Sequence, residues 1–335
     1  MAKKTVLSGM RATARLHLGN YFGAAANWVR MQEDYDSYFF VADWHALTTH
    51  HDPSALRENV RHVVANYLAC GLDPERCTIY IQSDVPEIAE LCLYLNMFAH
   101  KGELEKTATF KEKARRPGQT LNAGLLTYPV LMAADILIHR ADLVPVGKDQ
   151  EQHLEMTRTF ARRFNRVYDT DLLPEPQGFS FTESLVKIPS LDGSGAKMSK
   201  SDENQNNVLY LSDDPNVIRK KVRKAKTDAG PAGPGEPLSR EVQNLFDLME
   251  AVSDAETLNE FRAAYADGTI RYGDLKKTLA EDVVAFTEPI RDRIRSLTTD
   301  DDRLRAVTRQ GAERARANAQ QTISAMREVM GIAYF

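Results

Sequence analysis

The sequence predicts an α/β protein: a parallel sheet covered on both faces, followed by an all-helical part. Three observations predict it. Short β-branched or aromatic runs alternate with longer stretches of helical apolar spacing in the first half of the chain. One of those runs, "YFFVA" at 38–42, is nearly all apolar, as a strand buried on both sides must be. From about residue 213 onward no good strand pattern remains.

In chain order, "TVLSG" (5–9), "SYFFVAD" (37–43), "TIYIQS" (78–83) and "LVPVG" (143–147) read as strands. Helical spacing fills 19–35, 54–71, 86–99 and 123–140 between them. A helix over 129–140 with Pro129 near its start places Tyr128, Met132 and Asp135 at i, i+4 and i+7 on one otherwise apolar face. "VGKDQEQ" (146–152) closes a strand and opens another helix. Farther on, "DDPNVIRKKVRKAKTD" (213–228) opens with the helix-start pair Asp-Pro and turns strongly basic. After the Gly- and Pro-rich "DAGPAGPGEPLSR" come helical patterns at 239–252, 255–267, 273–296 and 301–331.

Of the 335 residues, 43% are hydrophobic and 27% charged, enough for one large domain or two unequal ones. No apolar stretch approaches the ~18 residues of a membrane span, and "MAKKTVLSGM" is not a secretory signal. Cys70, Cys77 and Cys92 form no CxxC pattern, so neither a disulfide framework nor a metal site is expected, and a reducing cytoplasm fits. The net charge of −4 gives no long-range attraction to nucleic acid, so such a partner needs a local basic patch.

Three segments could carry chemistry. In "ARLHLGNYFGAAANW" (14–28), Gly19 at a strand–helix junction lets a ligand approach the backbone, the helix N-terminus favours phosphate, and His17 and Asn20 can donate. A plain helix entry with His17 on the surface reads equally from those residues. In "SLDGSGAKMSKSDENQNN" (190–207), Gly193, Ser194 and Gly195 promise a loose backbone on which Lys197 and Lys200 could follow a polyphosphate; by composition alone it is a solvated linker. In 125–165, Asp135 on its apolar face must be paired or hydrogen-bonded, either by a ligand's aromatic N–H or by a neighbouring Arg or backbone N–H. Asp149 and Gln150 sit where a strand ends and a helix begins, a place where α/β proteins bind ligands, although Asp149 could equally be an N-cap.

Taken together the segments resemble a known family. "HLGN" (17–20) is similar to the first signature of class I aminoacyl-tRNA synthetases, and "KMSKS" (197–201) matches the second. "VADWHALTTH" (41–50), "GLLTYPVLMAADIL" (124–137), "VPVGKDQEQHLEMTRTFARRFN" (144–165) and "IRKKVRKAKTD" (218–228) resemble the tryptophanyl branch, so the likeness covers nearly the whole chain. It implies a Rossmann-like catalytic domain over 1–190, a mobile loop over 191–207, and a helical anticodon-binding domain over 208–335 whose C-terminal helix packs back.

By the same resemblance, Lys197, Lys200 and Lys113 act on the phosphates as catalytic cations. ATP is expected to meet Arg11, Thr13, His17, Gly19, Asn20, Gly147, Asp149, Ile188, Met198 and Ser199 as well as Lys197 and Lys200. Tryptophan is expected to meet Leu7, His45, Tyr128, Met132, Asp135 and Gln150, with Asp135 accepting the indole N–H, Tyr128 and Gln150 at the amino end and His45 close by. The implied reaction joins L-tryptophan to ATP as an adenylate, with Mg²⁺ on the polyphosphate and no protein-held metal, and passes the acyl group to tRNA(Trp). A cytoplasmic homodimer without a membrane segment is implied too. One departure stands out: "RATA" (11–14) replaces the family's Pro-Thr/Ser-Gly pattern, leaving Thr13 but putting Ala12 and Ala14 beside it. Tyrosine activation, and a paralogue that binds RNA without charging it, are the competing readings. The arginines of "QGAERARANAQQ" (310–321) and the run Arg219, Lys220, Lys221, Arg223, Lys224, Lys226 are the candidate tRNA contacts.

Overall fold

β1 (Thr5–Arg11), β2 (Asp36–Ala42), β3 (Thr78–Ile81), β4 (Leu143–Pro145) and β5 (Gln177–Phe179) form one parallel sheet in the order β3-β2-β1-β4-β5. The computed structural model describes residues 3–13, 15–48, 51–114, 121–145, 147, 150–179, 188–200 and 202–334, except the side chains of Thr109, Glu112 and Lys113. Period-two alternation along the strands sorts the core into two halves. Val6, Phe39, Val41, Ile79 and Leu143 face one side, and Leu7, Tyr38, Phe40, Ala42, Tyr80 and Val144 the other.

The first side is covered by α1 (Leu18–Asn20), the π-helical turn Tyr21–Ala25, α2 (Ala26–Asp34) and α4 (Pro53–Ala69), with Trp28 stacked on Phe39 at 4.9 Å. Short α3 (Asp43–Ala46) follows β2 directly. The second side carries α5 (Glu87–Asn96), α6 (Lys101–Leu104), α8 (Ala123–Ile138) and α9 (Glu151–Tyr168), with the short α7 (Ala108–Ala114) between α6 and α8 in the chain.

α8 begins at Ala123, as the 123–140 spacing predicts, because the Asn122 side chain accepts the Leu125 N–H and so caps it; the expectation corrected is Pro129 near a helix start, since it lies inside the helix. Tyr128, Met132 and Asp135 keep their shared spacing. β5 is a strand that the sequence pattern did not reveal: three residues with no buried alternation, held to β4 along the register Leu143↔Gln177.

Sequence neighbours reverse direction between β1 and β4, which makes the carboxyl ends of these strands the switch point where α/β sheets bind ligands. Past residue 208 come α10 (Pro215–Arg223), α11 (Arg240–Val252), α12 (Ala255–Ala266), α13 (Tyr272–Leu297) and α14 (Asp301–Val329). Asp214, Ser239, Asp254 and Asp300 cap four of them through side-chain oxygens.

α14 returns to the sheet and covers the edge strand β3, which would otherwise present unpaired backbone groups. The approach is backbone to backbone at Gly311, where a Cβ would fall 1.8 Å from the Ile79 carbonyl oxygen. Alanine is ordinarily the better helix former by about 1 kcal/mol. Here the overlap with an immovable backbone atom outweighs that gain. Gly311→Ala is therefore expected to lose about 2 kcal/mol net, as overpacked sites do, read as a lower Tm together with faster proteolysis of α14. An unchanged Tm would mean that α14 does not sit this close.

Candidate active site

The "HLGN" turn is built by a reciprocal cap. His17 Nδ1 accepts the Asn20 backbone N–H at 3.3 Å, and Asn20 Oδ1 accepts the His17 N–H at 3.2 Å. Antiparallel contacts pin the turn to the far side of the second signature: Leu18 N–H to the Leu209 carbonyl at 2.9 Å, and Leu211 N–H to that of Leu16 at 3.0 Å. His17 is 3% exposed. Burial, then the nearby ammonium groups of Lys200 and Lys197, push its imidazole down to about 3, so it is neutral with its proton on Nε2. Gly19 is required by closeness: a Cβ there would meet the His17 ring at 3.0 Å and Met198 Cβ at 3.6 Å.

The lysine loop makes defined backbone and side-chain contacts. Pro189 and Lys197 form an antiparallel bridge, and Met198 N–H donates to the Ile188 carbonyl at 2.9 Å. Asp192 accepts from both the backbone and the hydroxyl of Ser194, at 2.9 and 2.7 Å. Gly193 and Gly195 adopt φ of 81° and 72°, and Cβ atoms there would overlap Glu241 and Arg240. These glycines serve a left-handed turn packed on the start of α11, which corrects their reading as mere looseness. Buried Met198 is the anchor between the lysines, its sulfur accepting the Leu209 N–H at 3.4 Å.

The lysines then reach the first signature. Lys200 Nζ donates to the Thr13 carbonyl at 2.7 Å, and burial, followed by the Arg11 charge, pushes it down to about 8. Lys197 Nζ lies 4.0 Å from where a Gly23 Cβ would stand. Arg11, Thr13, His17, Lys197 and Lys200 thus converge at the carboxyl end of β1, a cationic, donor-rich arrangement fit for a polyanion. Of the "RATA" departure, Ala12 is fully buried and its N–H donates to the Ala42 carbonyl at 3.4 Å. Ala14 lies outside the described residues, as do Lys148, Asp149, Ser201 and the Lys113 side chain.

Asp135 lies deeper, 1% exposed on α8. His45 Nε2 meets its Oδ2 at 2.8 Å and Gln82 Nε2 donates to its Oδ1 at 2.7 Å. Burial raises its pKa while these two donors oppose the shift. His45, expected close to the amino end of tryptophan, is a partner of this carboxylate. Leu7 is buried in the same core half, and Met132 packs against it. Tyr128 pairs with His153 Nε2 of α9, and Gln150 stands at the N-terminal boundary of α9 beside Gly147, whose carbonyl accepts the Gln150 N–H at 2.9 Å. Sequence reasoning missed Gln82 and His153. A polar residue ending the apolar run "TIYIQ" was the available signal for Gln82.

The basic residues divide. Arg316 grips Glu87 and Arg314 donates to the Pro74 carbonyl at 2.7 Å, so both tie α14 to the sheet body while their side chains stay 44% and 40% exposed. Lys221 is buried between the Val208 carbonyl and Asp213, each at 2.7 Å. Arg219, Lys220, Arg223, Lys276 and Lys277, with Glu281 on Arg219, line a groove of about 860 Å³ between α10 and α13. Among the described residues no group of three His, Cys, Asp or Glu is placed to hold a metal ion, and no helix is long and apolar enough to cross a membrane.

Residues 2–288 match the family described as tRNA synthetases class I (W and Y). The chain is 56% identical over 328 residues to a tryptophan–tRNA ligase of Porphyromonas gingivalis, covering 98% of this chain and 99% of that one. It superposes on tryptophanyl-tRNA synthetase of Campylobacter jejuni complexed with ADP and tryptophan with a TM-score of 0.87 at 32% identity, covering 98% and 99%. The Mycoplasma pneumoniae tryptophanyl-tRNA synthetase gives 0.83 at 34%, covering 98% of each.

Proposed function

The chain belongs to the class I tRNA synthetases of the tryptophan and tyrosine family, and from that premise we propose that it activates L-tryptophan with ATP and charges tRNA(Trp). The observation that carries the reading is the pairing, across the sheet's switch point, of a cationic cluster with a buried, donor-held carboxylate.

In the first step an oxygen of the tryptophan carboxylate forms a bond to the α-phosphorus, and the bond from that phosphorus to the bridging oxygen breaks. The electron pair leaves with pyrophosphate. A ribose hydroxyl of the terminal tRNA nucleotide then attacks the acyl carbon, and AMP departs. No side-chain nucleophile is needed, so the protein's work is positioning and charge stabilisation. Lys197 and Lys200, with Lys113 as a third cation, meet the departing phosphates; His17, Asn20, Gly19, Thr13, Arg11, Met198 and Ser199 shape the nucleotide side; Ile188 meets the adenine, and Asp149 and Gly147 the ribose. Asp135 reads the indole N–H between Leu7 and Met132, with Tyr128 and Gln150 at the amino end. Mg²⁺ would enter with ATP as the counter-ion of its phosphates.

We assign residues 1–190 to catalysis, 191–207 to the lysine loop and 208–335 to tRNA binding. The α10–α13 groove supports the last, because Lys220, Arg223, Lys276 and Lys277 offer a phosphate backbone several cations in a row. Leu93 of α5 and Met97 just past its end, 56% and 72% exposed, support a homodimer. Cys70 and Cys77, buried free thiols pushed up to about 12, suit a reducing cytoplasm.

Amino-acid-dependent ATP–pyrophosphate exchange tests the function, and tryptophan is expected to be the one amino acid that supports rapid exchange. A preference for tyrosine would overturn the reading. The same assay carries a pH signature. Lys200 in the folded protein sits below the ordinary lysine range, so its charge is present below about 8 and lost as pH rises through that value. The kcat/KM for ATP is expected to fall about tenfold per pH unit above it, and Lys200→Arg is expected to remove that limb.

A further inference from the structure

We propose that Gln82 is a positioning residue for amino-acid selection: its carboxamide, clamped between the Trp44 backbone and Asp135, aims the carboxylate and keeps it an acceptor for the indole N–H. The inference rests on the reading of Asp135 given above and extends it to a residue that meets no substrate.

Gln82 opens the short 3-10 turn Gln82–Asp84 at the end of β3, and its side chain is fully buried. Its orientation is dictated. The Trp44 backbone N–H donates to Oε1 at 3.1 Å, so the amide nitrogen must face the other way, where it donates to Asp135 Oδ1 at 2.7 Å. The Trp44 end is itself fixed, because Asp43 Oδ1 accepts the backbone N–H groups of both Trp44 and Ser83, at 3.0 and 3.1 Å. Ends of β2 and β3 are thereby locked together with a donor pointing at α8.

A donor aimed at Oδ1 is compatible with Asp135 only when that oxygen accepts. With His45 Nε2 on Oδ2, the carboxylate has one protein partner per oxygen and a lone pair left on each for a ligand donor. The charged and titratable groups around it are Asp43 and His45 from α3, Tyr80 from β3 and Cys92 from α5. Asp43 and burial both favour the neutral acid, so Gln82 and His45 are what oppose protonation. Without Gln82 the carboxyl shifts towards the neutral form.

The test is Gln82→Met, which keeps the length and removes both polar ends. The KM for tryptophan in pyrophosphate exchange is expected to rise about 10- to 100-fold, the worth of a hydrogen bond to a charge. kcat should change far less, and the preference for tryptophan over phenylalanine should fall by a similar factor. The KM for tryptophan should climb more steeply on acidification than it does in the unaltered protein, because Gln82 no longer opposes the burial that raises the Asp135 pKa. An equal loss for both amino acids with an unchanged pH profile would assign Gln82 to packing alone and overturn the proposal. Should Gln82→Met not fold, Gln82→Glu preserves the shape and forces two carboxyls to share a proton. Its tryptophan KM should then depend steeply on pH, and behaviour identical to the unaltered protein would be equally fatal. Asp135→Ala run alongside separates the two claims: if it leaves selectivity intact the indole reading fails, whereas if it alone destroys selectivity only the role of Gln82 fails.

Discussion

The Lys197→Ala, Lys200→Ala double variant is expected to form tryptophanyl-adenylate at least about 100-fold more slowly, and up to about 10⁴-fold, because each preorganised charge facing a transition state is worth about 10²–10³ in rate. The local geometry says why nothing else substitutes. His17, nearest to the lysines in the first signature, is held neutral by burial and by those very ammonium groups, so it offers a hydrogen bond and no charge. Arg11 keeps its own charge, but Lys200 is the cation tethered to the Thr13 carbonyl. The loop should survive the change, since its fold rests on Met198, on the Pro189–Lys197 backbone bridge and on Gly193 and Gly195, none of which needs a lysine head group. Single-turnover adenylate formation measures the effect, with Tm as the control for folding. A drop in the rate constant at saturating ATP places the lysines in the transition state; a rise in KM alone would place them in ground-state binding. An unchanged rate would remove the basis of the mechanism.

Several features were legible in the chain because they are local. The unbroken apolar run "YFFVA" has one solution in a covered sheet, and the helix entry at "HLGN" depends on residues close together in the chain. The four capped helices after residue 213 follow from Asp and Ser at their starts. What stayed hidden depends on partners far along the chain. Arg316 is an ordinary helix arginine until Glu87, over two hundred residues earlier, comes to meet it. Lys221 looks like part of a solvated basic face until Asp213 and the Val208 carbonyl bury it. Gly311 reads as a weak point in a helix, and only the Ile79 backbone explains it. The short strand β5 carries too little pattern to be seen without β4 beside it. Gln82 and His45 belong to the same class: no spacing rule brings residues 45, 82 and 135 to one carboxylate.

That carboxylate carries the second large effect. Asp135→Ala is expected to lower the selectivity for tryptophan over phenylalanine in adenylate formation by about 10⁴-fold, the factor by which a site built to pair a substrate N–H rejects an analogue lacking it. Alanine leaves the Gln82 amide and His45 Nε2 facing a cavity, so the binding of tryptophan weakens while phenylalanine, which never satisfied Asp135, loses far less. Asp135→Asn is the more instructive partner. Its amide oxygen can accept from Gln82, but its N–H end can pair with His45 Nε2 only if that imidazole moves its proton to Nδ1; otherwise the partly exposed His45 turns away. Asparagine should accordingly recover a part of the selectivity, and less than its matching shape suggests. The kcat/KM ratios across tryptophan, tyrosine and phenylalanine decide the matter. Equal losses for all three would show that Asp135 supports the pocket without reading the ring, and would move the origin of selectivity to Leu7 and Met132.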